Sequence, residues 1–358
     1  MLGLSAAGLP DNEAAAEAVL RAAIEQGVNY IDLGSYDDIL REEEECYLVG
    51  RVISEMPSRH AYLTVSLPSD CYQSGYDLPR FLGERLSWLG VGTIDALNFS
   101  GLNRDTWPLL QESGILAQAE EAVTEAYIAA IGFSFHDQVL YLRPVLNGYD
   151  NWSFCSFPYS FMDADRLPGT SGLTYAAQKG LAVVAMEPLL GGRLAARFPE
   201  PVAGLWGQAS PRRSPAEWAL RWAWNQSRIS TAVVNLKTPE QVAECTAWAD
   251  LVEPDSLSVP EEVLISRVRD AYRKLRPVPC TTCRACMPCP RGIDAPRIFE
   301  LYNDAVMYGN ADIPRSLYRW ERHSIGECDE CGACARACGR SIDIPERLRE
   351  AHRFLAGD

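Results

Sequence analysis

Apolar and polar positions along this chain follow two rhythms. Short apolar runs recur at Leu2 to Ser5, Val28 to Asp32, Ala61 to Ser66, Ile94 to Phe99, Ala129 to Ser134, Ser153 to Phe157, Leu181 to Met186 and Ser230 to Asn235. Each is short, bounded by polar residues and turn formers, and predicts a strand. Between and after them, apolar positions three and four apart predict amphipathic helices over Glu13 to Gln26, Leu78 to Leu89, Leu109 to Ala126, Leu173 to Lys179, Pro215 to Asn225 and Pro239 to Leu251. Ser214-Pro215-Ala216-Glu217 and Thr238-Pro239-Glu240-Gln241 each offer a capping hydroxyl, a proline in the first turn and a side chain able to bond back. Eight strands alternating with helices over about 250 residues is the pattern of a (β/α)8 TIM barrel. An open doubly wound sheet alternates similarly, but no Gly-x-Gly-x-x-Gly follows the first strand.

Past Asp250 the pattern changes. Glu253-Pro254-Asp255-Ser256 breaks the alternation, and a polar helix opened by Ser258-Val259-Pro260-Glu261 runs to near Leu275. This divides the chain into an α/β barrel at 1–256, a linker helix within 257–279 and a small, mostly helical module at 280–358. Thirty-three basic against 48 acidic residues, net -15, repel phosphate backbones and anionic lipid, so neither nucleic acid nor a membrane is an expected partner. The acidic run Glu42 to Glu45 reads as a solvated helix face. No run of about eighteen apolar residues occurs, and Met1 to Pro10 lacks the basic start and apolar stretch of an export signal. A cytoplasmic location is the expectation.

Cysteine placement changes the picture most. Cys46, Cys71, Cys155 and Cys245 are scattered, as small buried residues would be. The other eight form two runs: Cys280, Cys283, Cys286 and Cys289, followed by Pro290, and Cys328, Cys331, Cys334 and Cys338. Three thiolates at intervals of three can wrap one face of a cubane cluster, and the fourth cysteine of such a run is thrown outward to ligate the other cluster. On that logic Cys280, Cys283, Cys286 and Cys338 hold one 4Fe-4S cluster, and Cys328, Cys331, Cys334 and Cys289 hold the second. Zinc competes, since two C-x2-C pairs also make a four-thiolate site, but each run carries more closely spaced cysteines than one zinc knuckle needs. Arg297 to Tyr308 reads as a helix between the runs, and Arg284, Arg291, Arg336 and Arg340 lie near the ligands, where positive charge eases reduction.

The chain resembles the aldo/keto reductase-like oxidoreductases that carry a C-terminal 4Fe-4S ferredoxin module. The resemblance rests on Gly27-Val28-Asn29-Tyr30-Ile31-Asp32, Ile131-Gly132-Phe133-Ser134-Phe135-His136-Asp137, Met186-Glu187-Pro188-Leu189-Leu190-Gly191-Gly192, Ser214 to Trp222, and Cys280 to Pro290. It implies the barrel, with a nicotinamide cofactor, NADPH, at the C-terminal mouth of its strands. Family members carry residues ahead of the first strand, whereas this sequence opens inside it.

The family reduces carbonyls with an Asp, a Tyr, a Lys and a His. Asp32 matches the first. The Tyr is expected five residues later, where Asp37 stands beside Tyr36, so Asp32 and Tyr36 are the catalytic candidates. Ser66 replaces the Lys and Ser100 the His. For the cofactor, the resemblance implies Gly191, Gly192 and Arg193 at the phosphates, Lys237 before a helix N-terminus, and Tyr159 after the sixth strand, while His136 reads as a packing residue. Two functions stay open. One is an iron-sulfur oxidoreductase passing electrons between two clusters and a small-molecule substrate or nicotinamide at the barrel mouth. The other is an inactive barrel that serves as scaffold for a ferredoxin module docking a redox protein.

Overall fold

The computed structural model describes residues 2–34, 39–56, 61–195 and 198–357. All eight predicted strands form: β1 (Leu2–Ser5), β2 (Tyr30–Asp32), β3 (Tyr62–Leu67), β4 (Ile94–Leu102), β5 (Ile128–Phe135), β6 (Phe154–Pro158), β7 (Ala182–Met186) and β8 (Thr231–Val234). Each pairs in parallel with the next, and β8 closes on β1 with Leu2 opposite Ala232 and Leu4 opposite Val234. Closure removes the sheet edges that would otherwise expose unpaired backbone groups.

Successive side chains on a strand point to opposite faces. Ile31, Leu63, Val65, Leu97, Phe99, Ile131 and Phe133 turn outward into one core shared with the helices. Their neighbours in sequence turn inward. Ala96, Phe154, Val184 and Val233 make an apolar plug there, with Tyr30, Ala130 and Met186 packed against it. Phe154 fills the barrel only because residue 132 is glycine; a Cβ there would lie 2.3 Å from the Phe154 ring. Other inward positions are small and polar: Asp32, Thr64, Ser66, Asn98, Ser134 and Ser156 are all buried.

The helices alternating with and following the strands are α1 (Glu13–Glu25), α2 (Ile39–Glu55), α3 (Leu78–Leu89), α4 (Thr106–Ser113), α5 (Ile115–Thr124), α6 (Val139–Asn147), α7 (Gly169–Gln178), α8 (Glu200–Gly207), α9 (Pro215–Trp224), α10 (Pro239–Ala249) and α11 (Val259–Lys274). The caps foreseen for α9 and α10 are present: Ser214 Oγ accepts from the Glu217 amide at 3.1 Å and Thr238 Oγ1 from the Gln241 amide at 3.3 Å. The single helix expected over Leu109 to Ala126 is two, broken at Gly114, whose φ of +80° ends α4.

The acidic run on α2 departs from expectation as well. Glu42 is not solvated; it is 7% exposed and takes both forks of Arg85, Nε at 2.9 Å and Nη2 at 2.6 Å, with Arg85 itself 4% exposed. The guanidinium also lies 3.6 Å over the Phe81 ring. A Cβ at position 50 would lie 2.2 Å from the Leu89 carbonyl oxygen, so Gly50 is what lets α2 and α3 approach closely enough for this pair.

The chain forms two compact units: 1–192 with 214–262, and 193–213 with 263–358. The second contains α8, most of α11, α12 (Ala295–Met307), α13 (Asp312–Trp320), the short α14 (Ala333–Ala337) and α15 (Ile344–Ala356). Its core is small, built on Ile298, Phe299, Leu301, Ala305, Leu348, Ala351 and Leu355. The Asn303 amide pins the chain ahead of the first cysteine run, accepting from the Val278 N–H at 3.0 Å and donating to its carbonyl at 2.9 Å. Among the described residues no helix is long and apolar enough to cross a membrane.

The Glu42–Arg85 pair generates a stability prediction. Arg85→Met leaves a buried carboxylate without its cation and should cost about 3–5 kcal/mol, whereas Glu42→Leu combined with Arg85→Met should recover most of it. Urea denaturation followed by tryptophan fluorescence reads this. Equal midpoints for wild type and the single variant would contradict the role given to the pair.

Candidate metal centre and barrel mouth

The loops carrying the cysteines bend sharply. Thr282 (φ +53°), Arg284 (φ +60°) and Glu330 (φ +54°) are held in left-handed backbone conformations, a cost that persists where surrounding structure enforces it. Cys283 and Cys331 are exposed and the other six clustered cysteines are half-buried. Cys280, Cys283, Cys286 and Cys338 line one cavity, together with Phe299, Ile342 and Ile344. Cys289, Cys328, Cys331 and Cys334 line another, which Cys286 also borders. Thus the fourth cysteine of each run sits with the first three of the other. Cys280 Sγ accepts from the Thr282 amide at 3.4 Å, and such N–H···S bonds tune a cluster's potential.

The donor set fits iron-sulfur clusters. Around one zinc ion, with bonds of about 2.3 Å, tetrahedral thiolates would close to about 3.8 Å of one another. Among the described residues no three Cys, His, Asp or Glu side chains converge so on a single point. The thiols instead surround cavities, as the corners of a cubane require. Without metal, burial, then Cys280, Cys334 and Cys283 nearby, push the Cys286 thiol up to about 11, so thiolate formation there depends on iron. Of the four nearby arginines, Arg284 pairs with Asp294 at 3.2 Å and Arg291 with Asp329 at 3.0 Å, while Arg336 donates to the Cys331 carbonyl at 3.1 Å.

In the barrel mouth, Asp32 ends β2. It is 7% exposed, and one carboxyl oxygen accepts from the Gly34 amide at 2.9 Å. Burial pushes its pKa up from 3.8 to about 6, with the Gly34 bond opposing the rise. Among the described residues no lysine or arginine pairs with it. Ser66 does not stand alone: Asn98, opposite it on β4, donates to its hydroxyl at 2.9 Å, and Asn98 Oδ1 is buried without a hydrogen-bond partner among the described residues. Ser100 sits two residues along β4, half-buried, its carbonyl accepting from the Tyr72 hydroxyl at 2.8 Å. Tyr36 and Asp37 lie outside the described residues.

His136 is a correction. It is exposed at the end of β5 rather than packed, yet protein crowds it from several sides, and that desolvation lowers its pKa. Its imidazole stands at the end of β5, one strand along from Ser100 on β4. Asn98 escaped notice because it interrupts an apolar run by one residue; the signal was its inward register in β4.

The cofactor candidates are largely engaged within the chain. Tyr159 is fully buried, stacked on Trp222 with ring centres 5.1 Å apart, and its hydroxyl meets Thr170 at 2.9 Å. Arg193 forms an ion pair with Asp304 and lies 5.5 Å over the Tyr308 ring. The Lys237 ammonium donates to the Leu9 carbonyl at 2.9 Å. Gly191 and Gly192 have φ of +63° and +85° in the turn after β7.

Comparison with known proteins sets this geometry in a family. The sequence profile of the aldo/keto reductase family matches residues 1–203. The chain belongs to the aldo/keto reductase family. A second profile, described as a 4Fe-4S dicluster domain, matches residues 279–343. The barrel is similar to the holo form of an aldo-keto reductase from Bacillus halodurans, with TM-score 0.61 and 19% identity over 75% of this chain and 91% of that one. It is also similar to an aldo/keto reductase from Klebsiella pneumoniae in complex with NADP and acetate, with TM-score 0.57 and 18% identity over 75% and 90%. At these identities the likeness speaks for the fold. No curated protein matches. This is therefore an aldo/keto reductase-type oxidoreductase bearing a 4Fe-4S dicluster domain.

Asp32 supplies a prediction with a defined sign. Its folded pKa, about 6, exceeds its ordinary 3.8, so between these values the folded chain holds a proton the unfolded chain lacks. Its stabilising contribution is present below about pH 4 and lost as pH rises to 6, by up to about 3 kcal/mol. Asp32→Asn should therefore gain stability over wild type as pH rises from 4 to 7, read from denaturation midpoints at each pH. A gain by wild type over that range would mean that a cation pairs with Asp32.

Proposed function

We propose that this aldo/keto reductase is an iron-sulfur oxidoreductase in which two 4Fe-4S clusters exchange electrons with a small molecule held in the barrel mouth, and that it is not an ordinary carbonyl reductase. The observation that carries the reading is that the chain has two thiol-lined cavities and also a barrel mouth where, among the described residues, no cation pairs with the buried Asp32. When bound, such clusters supply single-electron transfer. The chain's own residues supply proton handling and orientation. Burial raises the Asp32 carboxyl to about 6, so it can give or take a proton near neutrality, the range where general acid–base groups work best. Ser66, held by Asn98, presents a hydroxyl where a lysine would present a charge. A neutral hydroxyl cannot lower the pKa of a tyrosine acid by electrostatics, and losing such tuning costs about 10²- to 10⁴-fold in rate.

A second reading, a barrel kept as scaffold for a ferredoxin module, draws on the engaged states of Tyr159, Arg193 and Lys237. Nicotinamide binding separates the two. Anaerobic titration of the cluster-loaded protein with NADPH should give saturable bleaching of the visible absorbance if the mouth is redox-active toward nicotinamide, and none if the barrel is a scaffold. With NADPH and a panel of small aldehydes and quinones, wild-type aldehyde turnover should fall well below about 1 per second, and Ser66→Lys with Ser100→His serves as the comparison. Wild-type aldehyde turnover at or above that rate would overturn the reading of the mouth.

A further inference from the structure

In (β/α)8 barrels the loops after strands seven and eight, together with a helix N-terminus, commonly hold a phosphate through backbone N–H groups. This chain places its own groups on those donors. In the turn after β7 the Leu190 amide donates to the Glu187 carbonyl at 2.8 Å and the Gly192 amide to the Leu189 carbonyl at 3.1 Å. After β8 the Lys237 amide donates to Gln241 Oε1 at 2.8 Å and the Gln241 amide to Thr238 Oγ1 at 3.3 Å, while Pro239, which opens α10, has no N–H. Glu240 completes the helix start. Hydrogen bonds from the Thr238 hydroxyl and from its own amide hold its carboxyl below the usual range, so a carboxylate already sits at the positive end of α10.

The two loops are also tied together. Glu187, half-buried just past β7, accepts from Asn235 Nδ2 at 3.1 Å. The Asn235 side chain lies on the backbone of Gly8, where a Cβ would come 2.4 Å from Asn235 Oδ1, so glycine at that position is what admits the amide. The Lys237 ammonium, which a phosphate would attract, donates instead to the Leu9 carbonyl at 2.9 Å. Arg193, the other basic residue implied for this corner, belongs to the second compact unit and pairs there with Asp304. Glu187 and Glu240 thus bring two carboxylates to a corner whose donors named above bond within the chain.

We propose that this corner selects against phosphate, the Glu187 and Glu240 carboxylates standing in for that group, so that the small molecule taken by the barrel mouth carries no phosphate and nucleotides bind there only weakly. The proposal rests on, and narrows, the reading that the mouth takes a small molecule. A phosphate arriving at the corner meets two like charges, and to gain hydrogen bonds it must displace partners that the chain already supplies. Selection of this kind works by repulsion rather than by added contacts. Binding alone is involved, with no bond made or broken.

The test uses the cluster-loaded full chain, with ADP as a phosphate ligand that carries no nicotinamide and adenosine as its phosphate-free counterpart. Binding of each is followed by titration calorimetry at low and at physiological salt. Glu187→Gln with Glu240→Gln keeps the shape and a hydrogen-bond acceptor at both positions while removing both charges. It should bind ADP at least tenfold more tightly than wild type at low salt, a gain that narrows as salt rises, and adenosine within threefold of wild type. Glu112→Gln with Glu121→Gln, an equal charge change at exposed positions of α4 and α5, should alter ADP binding less than threefold. Denaturation midpoints are measured first; should the double variant be destabilised, Glu240→Gln alone replaces it, with a gain of at least threefold expected. A gain below threefold, no measurable ADP binding by the variant, an equal gain from the α4 and α5 pair, or an equal gain for adenosine would each overturn the proposal. ADP delivers no electrons, so any of these results leaves the redox reading of the mouth to the NADPH titration.

Discussion

The exchange of one cysteine between two sequence runs is the constraint on which the C-terminal module depends. Cys338 completes the set begun by Cys280, and Cys289 completes the set begun by Cys328. Clusters held by these sets would close the segment between the runs into a loop, with α12 and α13 within it. The apolar core available for this is small. Modules of this size usually need disulfides or metal in addition to such a core. Asn303 and the Arg297–Glu321 pair, with Arg297 Nη2 2.6 Å from the carboxylate, fix the helices around the cavities, but metal–thiolate bonds would join the two halves.

In the barrel the governing fact is that no lysine or arginine among the described residues pairs with Asp32. A buried carboxyl commonly survives beside a cation. Among the described residues Asp32 has instead the Gly34 backbone N–H. That is a poor setting for a permanent anion and a workable one for a group that changes protonation near neutrality. It also distinguishes Asp32 from Glu42, which is buried to a similar degree but pairs with Arg85 and serves packing rather than chemistry.

Much of this could be read from the sequence, for identifiable reasons. Strand positions were legible because inward and outward residues alternate against a helical background, and the metal chemistry because cysteine spacing is local. The break at Gly114 was missed because the apolar periodicity continues across it. The burial of Glu42 was missed because Arg85 lies 43 residues away in sequence. Engagement of Arg193 by Asp304 was hidden by a separation of 111 residues. His136 looked like packing because it follows an apolar strand, whereas that strand ends one residue earlier.

The central claim is that the eight clustered cysteines hold two 4Fe-4S clusters with exchanged fourth ligands. Iron and acid-labile sulfide analysis of anaerobically purified protein tests it most directly. The account predicts about eight irons and eight sulfides per chain in wild type, and in Cys289→Ala a loss confined to the cluster held by Cys328, Cys331 and Cys334, leaving about four of each. Stoichiometric zinc without sulfide, or loss of the Cys280 cluster alone in that variant, would contradict it.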